Sequence, residues 1–408
     1  MMKRSVIIIL IAVLAIALFV PRSWATEAMG VDIHGFISQG FLQTTDNNFI
    51  ADSEDGSFEF NEVGINFGKD MTNRLRFSLQ FFARDFGATD NSEITIDYAY
   101  GDYFFKNWLG LRFGQMKAPH GFYNETRDID MLRNSIFLPQ SVYEEMMRSP
   151  MLSLQGVGLY GHLDMRAVGG LSYQVMYGTQ TISKNSRMAQ ALVGFPADYV
   201  ENDTTEVKEK YAGSIVWATP LDGLRFGVSY DNTKMELTGH FNRSVMPPFL
   251  NQGDPLAIDF DEYSNWVYSA EYAWRNLMLV AEYIKVKREF IIDLYEQEDQ
   301  YEPDGWYAGA AYRFTDWFEL GAYYSEINGN RDESTILNVS TDYYDYLKDY
   351  CATMRFDINP YWVFKLEYHN FEGAYSLSAW DNPEATEGAM DYFEKDWTMF
   401  AAKMTVSF

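Results

Sequence analysis

The 408-residue chain carries 58 Asp and Glu against 32 Lys and Arg, and the net charge of −26 excludes a nucleic-acid-binding role. Its single cysteine, Cys351, excludes an internal disulfide framework and any thiolate zinc cluster. Mean hydropathy is −0.27, and beyond the N-terminal run no stretch approaches a helical span, which excludes a helical inner-membrane protein.

Lys3 and Arg4 precede an unbroken apolar run from Val6 to Val20. Pro21 ends the run, and Ser23-Trp24-Ala25 sets small residues at the two positions that determine cleavage. A cleaved secretory signal over 1–25 is expected, with 26–408 as one domain. The competing reading is an uncleaved anchor, for which the run is shorter than the ~20 residues of a span. Cleavage deepens the charge to −29, because three basic residues and no acid leave with the signal.

Alternation at period two then governs the chain. Strands are expected at about 31–44, 57–68 and 74–84. In the third, Leu75, Phe77, Leu79, Phe81 and Ala83 share one face, and Arg74, Arg76, Ser78, Gln80 and Arg84 the other, with Phe82 out of pattern. The fourth, 93–104, is read with Ile94, Ile96, Tyr98 and Tyr100 outward, and the fifth, 109–117, with Leu111 and Phe113 outward and Arg112 inward. The rhythm stops from Ala118 to Pro150. It resumes at 152–163, 166–178, 210–218, 224–232, 265–274, 277–288, 306–314, 317–327, 346–357 and 361–371. The stretches 179–208 and 233–263 are read as long loops.

The last strand, Trp397 to Phe408, places Phe400, Ala402, Met404, Val406 and Phe408 on alternate positions, with Lys403, Thr405 and Ser407 between them. A terminus ending on Phe408 makes sense if this strand pairs with the first and closes the sheet at a membrane interface. The fold class expected is all-β: a transmembrane antiparallel barrel of about sixteen strands with long external loops and short periplasmic turns. Two features favour it over a soluble β-protein. Long and short connections alternate strictly, and 17 % of residues are aromatic, which suits strands and interfacial girdles.

The layout resembles the Gram-negative porin superfamily. The likeness rests on IHGFISQGF in the first strand, on FGQMKAPHGFYNETRDIDMLRNSIFLPQSVYEEMMRSP after the fifth, and on the terminal Phe. These segments look most like a branch that includes phosphate-selective-type members. The resemblance implies a homotrimer in outer-membrane lipid and lipopolysaccharide, a third external loop folded inward, and passage of small hydrophilic solutes.

The long break is the expected constriction loop. It mixes apolar residues with Arg127, Asp128, Asp130, Arg133, Glu144 and Glu145, a composition that suits packing inside a barrel; a loop folded over a trimer contact is the competing reading. Arg74, Arg76, Arg84 and Arg112 are expected to face it as a basic wall, setting a transverse field or else only neutralising acids. Asp254, Asp259, Asp261, Glu262, Glu296, Glu298 and Asp299 are read as acidic external loops that enrich cations at the mouth. Oxygen ligands there also suit divalent cations shared with lipid A phosphates, against the plainer reading of solvated loops kept soluble by their charge. His34, His120, His162, His240 and His369 are scattered, without HExxH or CxxCH. No catalytic residues, metal or cofactor are therefore expected, and Cys351 is read as inert. A passive diffusion channel is the expected function. A specific anion channel and a non-conducting structural barrel are its rivals.

Overall fold

The computed structural model describes residues 26–28, 30–87, 92–184, 186, 188, 200–244, 250–293, 297–330, 342–378, 381–382 and 393–408. The expected signal segment and Glu296 lie outside these. The strands in chain order are β1 (Thr26–Ala28), β2 (Val31–Thr44), β3 (Phe60–Thr72), β4 (Leu75–Phe86), β5 (Thr95–Lys106), β6 (Leu109–Lys117), β7 (Ser153–Asp164), β8 (Gly170–Thr179) and β9 (Val200–Ala218). They continue as β10 (Leu224–Phe241), β11 (Pro255–Trp274), β12 (Leu277–Ile292), β13 (Gln297–Tyr301), β14 (Asp304–Thr315), β15 (Phe318–Asn328), β16 (Tyr346–Asn359), β17 (Trp362–Gly373) and β18 (Asp396–Ser407).

From β1 to β13 and from β14 to β18 each strand pairs antiparallel with the next, and β18 pairs with β2 from Met399↔Thr44 to Ser407↔Phe36. The ring is therefore closed. β1 only extends the β2 edge, and β13 and β14 pair with successive segments of β12, which leaves sixteen staves. Beyond the last paired residue, Phe408 exchanges backbone hydrogen bonds with Gly35 at 3.0 and 3.1 Å. Its ring lies against Gly35, where a Cβ would come within 2.8 Å of it. Among the described residues no helix is long and apolar enough to cross a membrane.

The side-chain distribution is inverted relative to a water-soluble core. Ile37, Phe77, Phe113, Val157, Ile215, Phe226, Leu279, Leu320 and Phe400 point outward and are exposed, whereas Lys210, Glu282, Lys365, Glu367 and Lys403 are buried inside the ring. Apolar out and charged in is the arrangement lipid imposes. At the short-turn end an aromatic belt includes Trp317, which stacks on Phe356 at 6.2 Å, and Phe314, which stacks on Phe318 at 5.9 Å. On β14, Trp306 and Phe314 bracket the exposed apolar face. At ~3.4 Å per residue and the usual barrel tilt they stand about 20 Å apart along the normal, close to the ~25 Å apolar band of such barrels.

β10 shows where the membrane ends. Phe226 and Val228 are exposed outward while Ser229 and Asp231 are buried inward. Past Asn232 the chemistry reverses: Met235, Leu237 and Phe241 are buried inward. Glu236 instead faces outward beside Lys208, which also pairs with Asp259 at 2.8 Å. Bulges at Asn232/Met235 and Phe260/Glu262 mark the same level. This reversal corrects the loop reading of 179–208 and 233–263. β9, β10 and β11 run on beyond the bilayer as a turret with an apolar interior, so a search for outward apolar residues loses them. Asp259, Asp261 and Glu262 accordingly stand on β11, and Glu298 and Asp299 on β13, rather than in loops.

A second correction concerns β5. A register shift between Gln80 and Phe81 on β4 skips Asp97. Ile96 stays outward and exposed, but Tyr100 turns into the lumen, where the Arg112 guanidinium lies 5.3 Å from its ring centre. An extra residue in one strand reverses every facing beyond it.

Deleting Phe408 removes two closing hydrogen bonds and the cover over Gly35. A loss of about 1–3 kcal/mol is expected. The heat-modifiable gel transition of the refolded barrel should fall in temperature, and the yield of closed barrel should drop.

Candidate functional site: the inward third loop

The connection between β6 and β7 turns into the barrel. Its neck is the Ala118 N–H to Leu152 carbonyl bond of 3.0 Å. From there the chain crosses the lumen, and His120, Asn124, Arg127, Asp128, Asp130, Ile136, Phe137, Leu138, Gln140, Tyr143, Glu144, Glu145 and Arg148 are all buried. A buried segment with so many polar groups has to find partners for them.

One set comes from the wall of β10, β11 and β12. His120 lies 3.1 Å from Asp231, and the Gly121 N–H donates to the Ser229 hydroxyl at 2.8 Å. Gly121 has φ +57, and a Cβ there would come within 2.2 Å of the Tyr143 hydroxyl, so glycine permits the close approach. The Tyr123 hydroxyl donates to Glu271 at 2.6 Å. Glu282 is the hub of this side. Its carboxylate accepts the Phe122 N–H at 2.8 Å and the hydroxyls of Tyr143, Tyr307 and Ser269 at 2.6, 2.7 and 2.5 Å.

The opposite end of the loop docks on β15, β16, β17 and β18. Asp130 lies 2.9 Å from Lys403 and 3.4 Å from Lys365, and it accepts the Thr405 hydroxyl at 2.7 Å. Glu367 accepts the Ile136 and Phe137 N–H groups at 2.8 and 3.0 Å. Asn134 donates to Glu319 at 3.0 Å. A third contact runs to β4 and β6. Glu145 pairs with Arg127 at 2.6 Å and with Arg84 at 3.1 Å, and Asp128 pairs with Lys117 at 2.5 Å and with Arg148. The Arg148 guanidinium lies 5.6 Å from the ring of Phe82, the residue that departs from the β4 pattern.

The electrostatics of the loop follow from these pairs. Burial works against ionisation of Asp128, but Lys117 and Arg148 outweigh it and hold the carboxyl well below the usual carboxylate range. Burial likewise opposes ionisation of Asp130 and Glu145. Lys365, Lys403 and Arg133 around the first, and Arg127, Arg148 and Arg84 around the second, depress both.

The space left in the lumen is uneven. Against β3 and β4 the loop is sealed by Phe60, Phe86, Phe137, Arg84 and Glu145, with about 10 Å³ free. On the other side a cavity of about 400 Å³ separates the loop from β12, β14, β15 and β16 and is lined in part by Arg133, Arg313, Arg355 and Glu319. A second cavity of about 460 Å³ lies by β6–β9, where Arg112, Glu125, Tyr160, His162 and Gln174 line it.

Of the expected basic wall, Arg84 meets the loop directly through Glu145. Arg112 faces the lumen, paired with Asp102 at 2.8 Å. Arg76 is half exposed near the short-turn end between Asp32 and Asp70, and Arg74 sits in the turn joining β3 and β4. At the mouth, Glu262 pairs with Lys287 at 2.9 Å, and Asp254 closes a turn by accepting the Asn251 N–H at 2.7 Å. Sequence reasoning missed Glu282, Arg313, Arg355, Lys365, Glu367 and Lys403. The signal was present: each is a charged residue on the inward parity of its strand, as Lys403 is between Ala402 and Met404.

No family model and no curated protein matches the chain. Among solved structures it is similar to the anion-selective porin from Comamonas acidovorans, with a TM-score of 0.56 and 10% identity over 93% of this chain and 99% of that one. It is similar to Salmonella typhi OmpF in complex with daunomycin, at 0.56 and 13% over 93% and 97%. It is also similar to OmpT of Vibrio cholerae in a trimer form, at 0.54 and 11% over 93% and 99%. At these identities the likeness is one of fold.

Two outcomes follow. Glu282→Ala leaves four donors without an acceptor, and each buried orphan costs about 1–3 kcal/mol. The folded variant should be cut by trypsin at Arg127 or Arg133 under conditions where the parent resists, and should melt lower. For pH, depressed carboxyl pKa values mean that the pairing energy is fully present above the ordinary carboxylate range and is lost as pH falls through the lower folded values. Melting temperature should therefore hold from pH 7 to about 5 and fall below about 4. Asp130→Asn should flatten that acid limb.

Proposed function

We propose that this chain, whose fold is that of the porin-type barrels of the Gram-negative outer membrane, forms a water-filled channel for passive diffusion of ions and small hydrophilic solutes and is not an enzyme. The observation that carries the reading is the third loop, clamped across the lumen so that it seals against β3 and β4 and leaves a cavity against β12 and β14–β16 that carries Arg133, Arg313, Arg355 and Glu319. A constriction with fixed charges sorts solutes by size and charge while leaving a wet path. The basic wall enters this reading as Arg84, which positions the loop, and Arg112, which lines the 460 Å³ cavity by β6–β9. The acids at the mouth, Asp254, Asp259, Asp261, Glu262, Glu298 and Asp299, add a negative field outside it. Export is taken to follow from a signal peptide cleaved after Ala25, with assembly as a homotrimer in lipid and lipopolysaccharide. The trimer form among the similar structures supports that assembly.

A second reading has its own observation. Arg133, Arg313 and Arg355 line the 400 Å³ cavity with one carboxylate, Glu319, so its lining carries more positive than negative groups. Such a lining favours anions, including phosphate, even in a chain of net charge −26.

Planar-bilayer recording of the refolded protein under a KCl gradient separates these readings. Stepwise conductance with a cation-selective reversal potential is the expected result, set by the acidic mouth. An anion-selective potential with block by phosphate transfers control to the arginines, and Arg355→Ser should then move the potential toward cations. Folded barrel without conductance overturns the channel and leaves a structural role.

A further inference from the structure

Behind the loop, on the lumenal face of β16 and β17, four side chains converge, and of these only Glu367 also anchors the loop. Cys351 and His369 sit directly opposite each other across the two strands. His369 Nε2 lies 3.7 Å from Cys351 Sγ and 3.5 Å from Glu367 Oε2, and its Nδ1 lies 3.0 Å from both carboxylate oxygens of Asp349. The Cys, Glu and His ligand atoms all fall within 4.8 Å of one another. All four residues are buried, at 4% exposure or less. From this geometry we infer that Cys351, His369 and Glu367 form a binding site for a thiophilic divalent metal of the zinc class.

Three observations carry the inference. First, 3.5 Å is too long for a hydrogen bond from Nε2 to Glu367, since such bonds run to about 3.2 Å. It fits two ligands on one ion: with tetrahedral bonds of about 2.0–2.3 Å, neighbouring donor atoms stand roughly 3.3–3.7 Å apart. Second, Asp349 is placed to accept the Nδ1–H, which points Nε2 at the thiol and at Glu367. This carboxylate–histidine pairing is the usual outer support of a metal-bound imidazole. Among the described residues, neither Asp349 nor Glu367 has a Lys or Arg partner, so one imidazole serves two buried carboxylates. Third, Tyr323 stands opposite Cys351 on β15, and its buried hydroxyl faces that thiol with no well-formed hydrogen bond. A metal-bound thiolate or a fourth ligand supplies one. Tyr323 also lines the 400 Å³ cavity, which gives an entry path.

Binding forms metal–sulfur, metal–nitrogen and metal–oxygen bonds and releases the Cys351 thiol proton to solvent. A single thiolate with imidazole and carboxylate selects zinc-class ions over Mg²⁺ or Ca²⁺. Because Glu367 also holds the Ile136 and Phe137 N–H groups, the ion sits one carboxylate away from the third loop.

The test is a Cd²⁺ titration of folded, chelator-washed protein in detergent, read by thiolate-to-cadmium charge-transfer absorption. Cys351 is the chain's only cysteine, so any such band reports it. A band saturating at one ion per chain is expected, with Zn²⁺ competing and Mg²⁺ not. His369→Gln should weaken binding at least tenfold, Asp349→Asn about tenfold, and Cys351→Ser should abolish the band. No band in folded wild type overturns the inference. So does a band that appears only after unfolding, or one whose midpoint His369→Gln and Glu367→Gln leave unchanged. Should Cys351→Ser not fold, the wild-type band and the His369 variant still decide.

Discussion

Hydrocarbon offers no partner to a peptide group, so a sheet that crosses it has to bond every N–H and C=O within itself. Pairing of β18 with β2 satisfies the last open edge and makes a ring of the whole chain. Lipid then fixes one face of every stave as apolar. The other face is released from that demand, which is why the interior collects lysines, arginines and carboxylates that a water-soluble core would exclude.

Charges enclosed in a ring still need partners, and the third loop is held by that need from both directions. Wall carboxylates without enough cations of their own, Glu282 and Glu367, accept loop hydroxyl and backbone donors. Loop carboxylates Asp128, Asp130 and Glu145 take cations from the wall and from the loop itself. Breaking a buried pair of this kind costs about 3–5 kcal/mol, because the survivor stays buried and uncompensated. The exposed turret pair of Lys208 with Asp259 belongs to a class worth only ~0–1 kcal/mol. Charges of the same types thus act as structure in the lumen and chiefly as a surface field at the mouth.

The anchorage is lopsided, and that asymmetry decides where the lumen stays open. Aromatic packing of Phe60, Phe86 and Phe137 presses the loop to one wall: Phe60 and Phe137 stack at 5.3 Å. Free volume is left on the far side, next to Arg313 and Arg355. The Cys351–His369–Glu367 cluster lies at the edge of that space and shares Glu367 with the loop.

The sequence by itself determined the all-β class, the sixteen staves, the closing role of the last strand and the location of the inward loop. Period-two alternation and alternating loop lengths are local consequences of a lipid-facing sheet, so a linear reading recovers them. It placed β2 at 31–44, the bounds observed. It failed where the environment changes along a strand. Above the bilayer β10 exchanges its apolar and polar faces, and on β5 one skipped residue at Asp97 turns Tyr100 inward. Only the tertiary structure decided which charges meet. Glu282 finds Tyr143 and Tyr307, Asp130 finds Lys403, and Cys351 finds His369 and Glu367 across ring closure and strand pairing. These contacts depend on register and on the loop's path through the lumen. No spacing along the chain encodes them, because partners such as Asp130 and Lys403 are brought together by closure of the barrel.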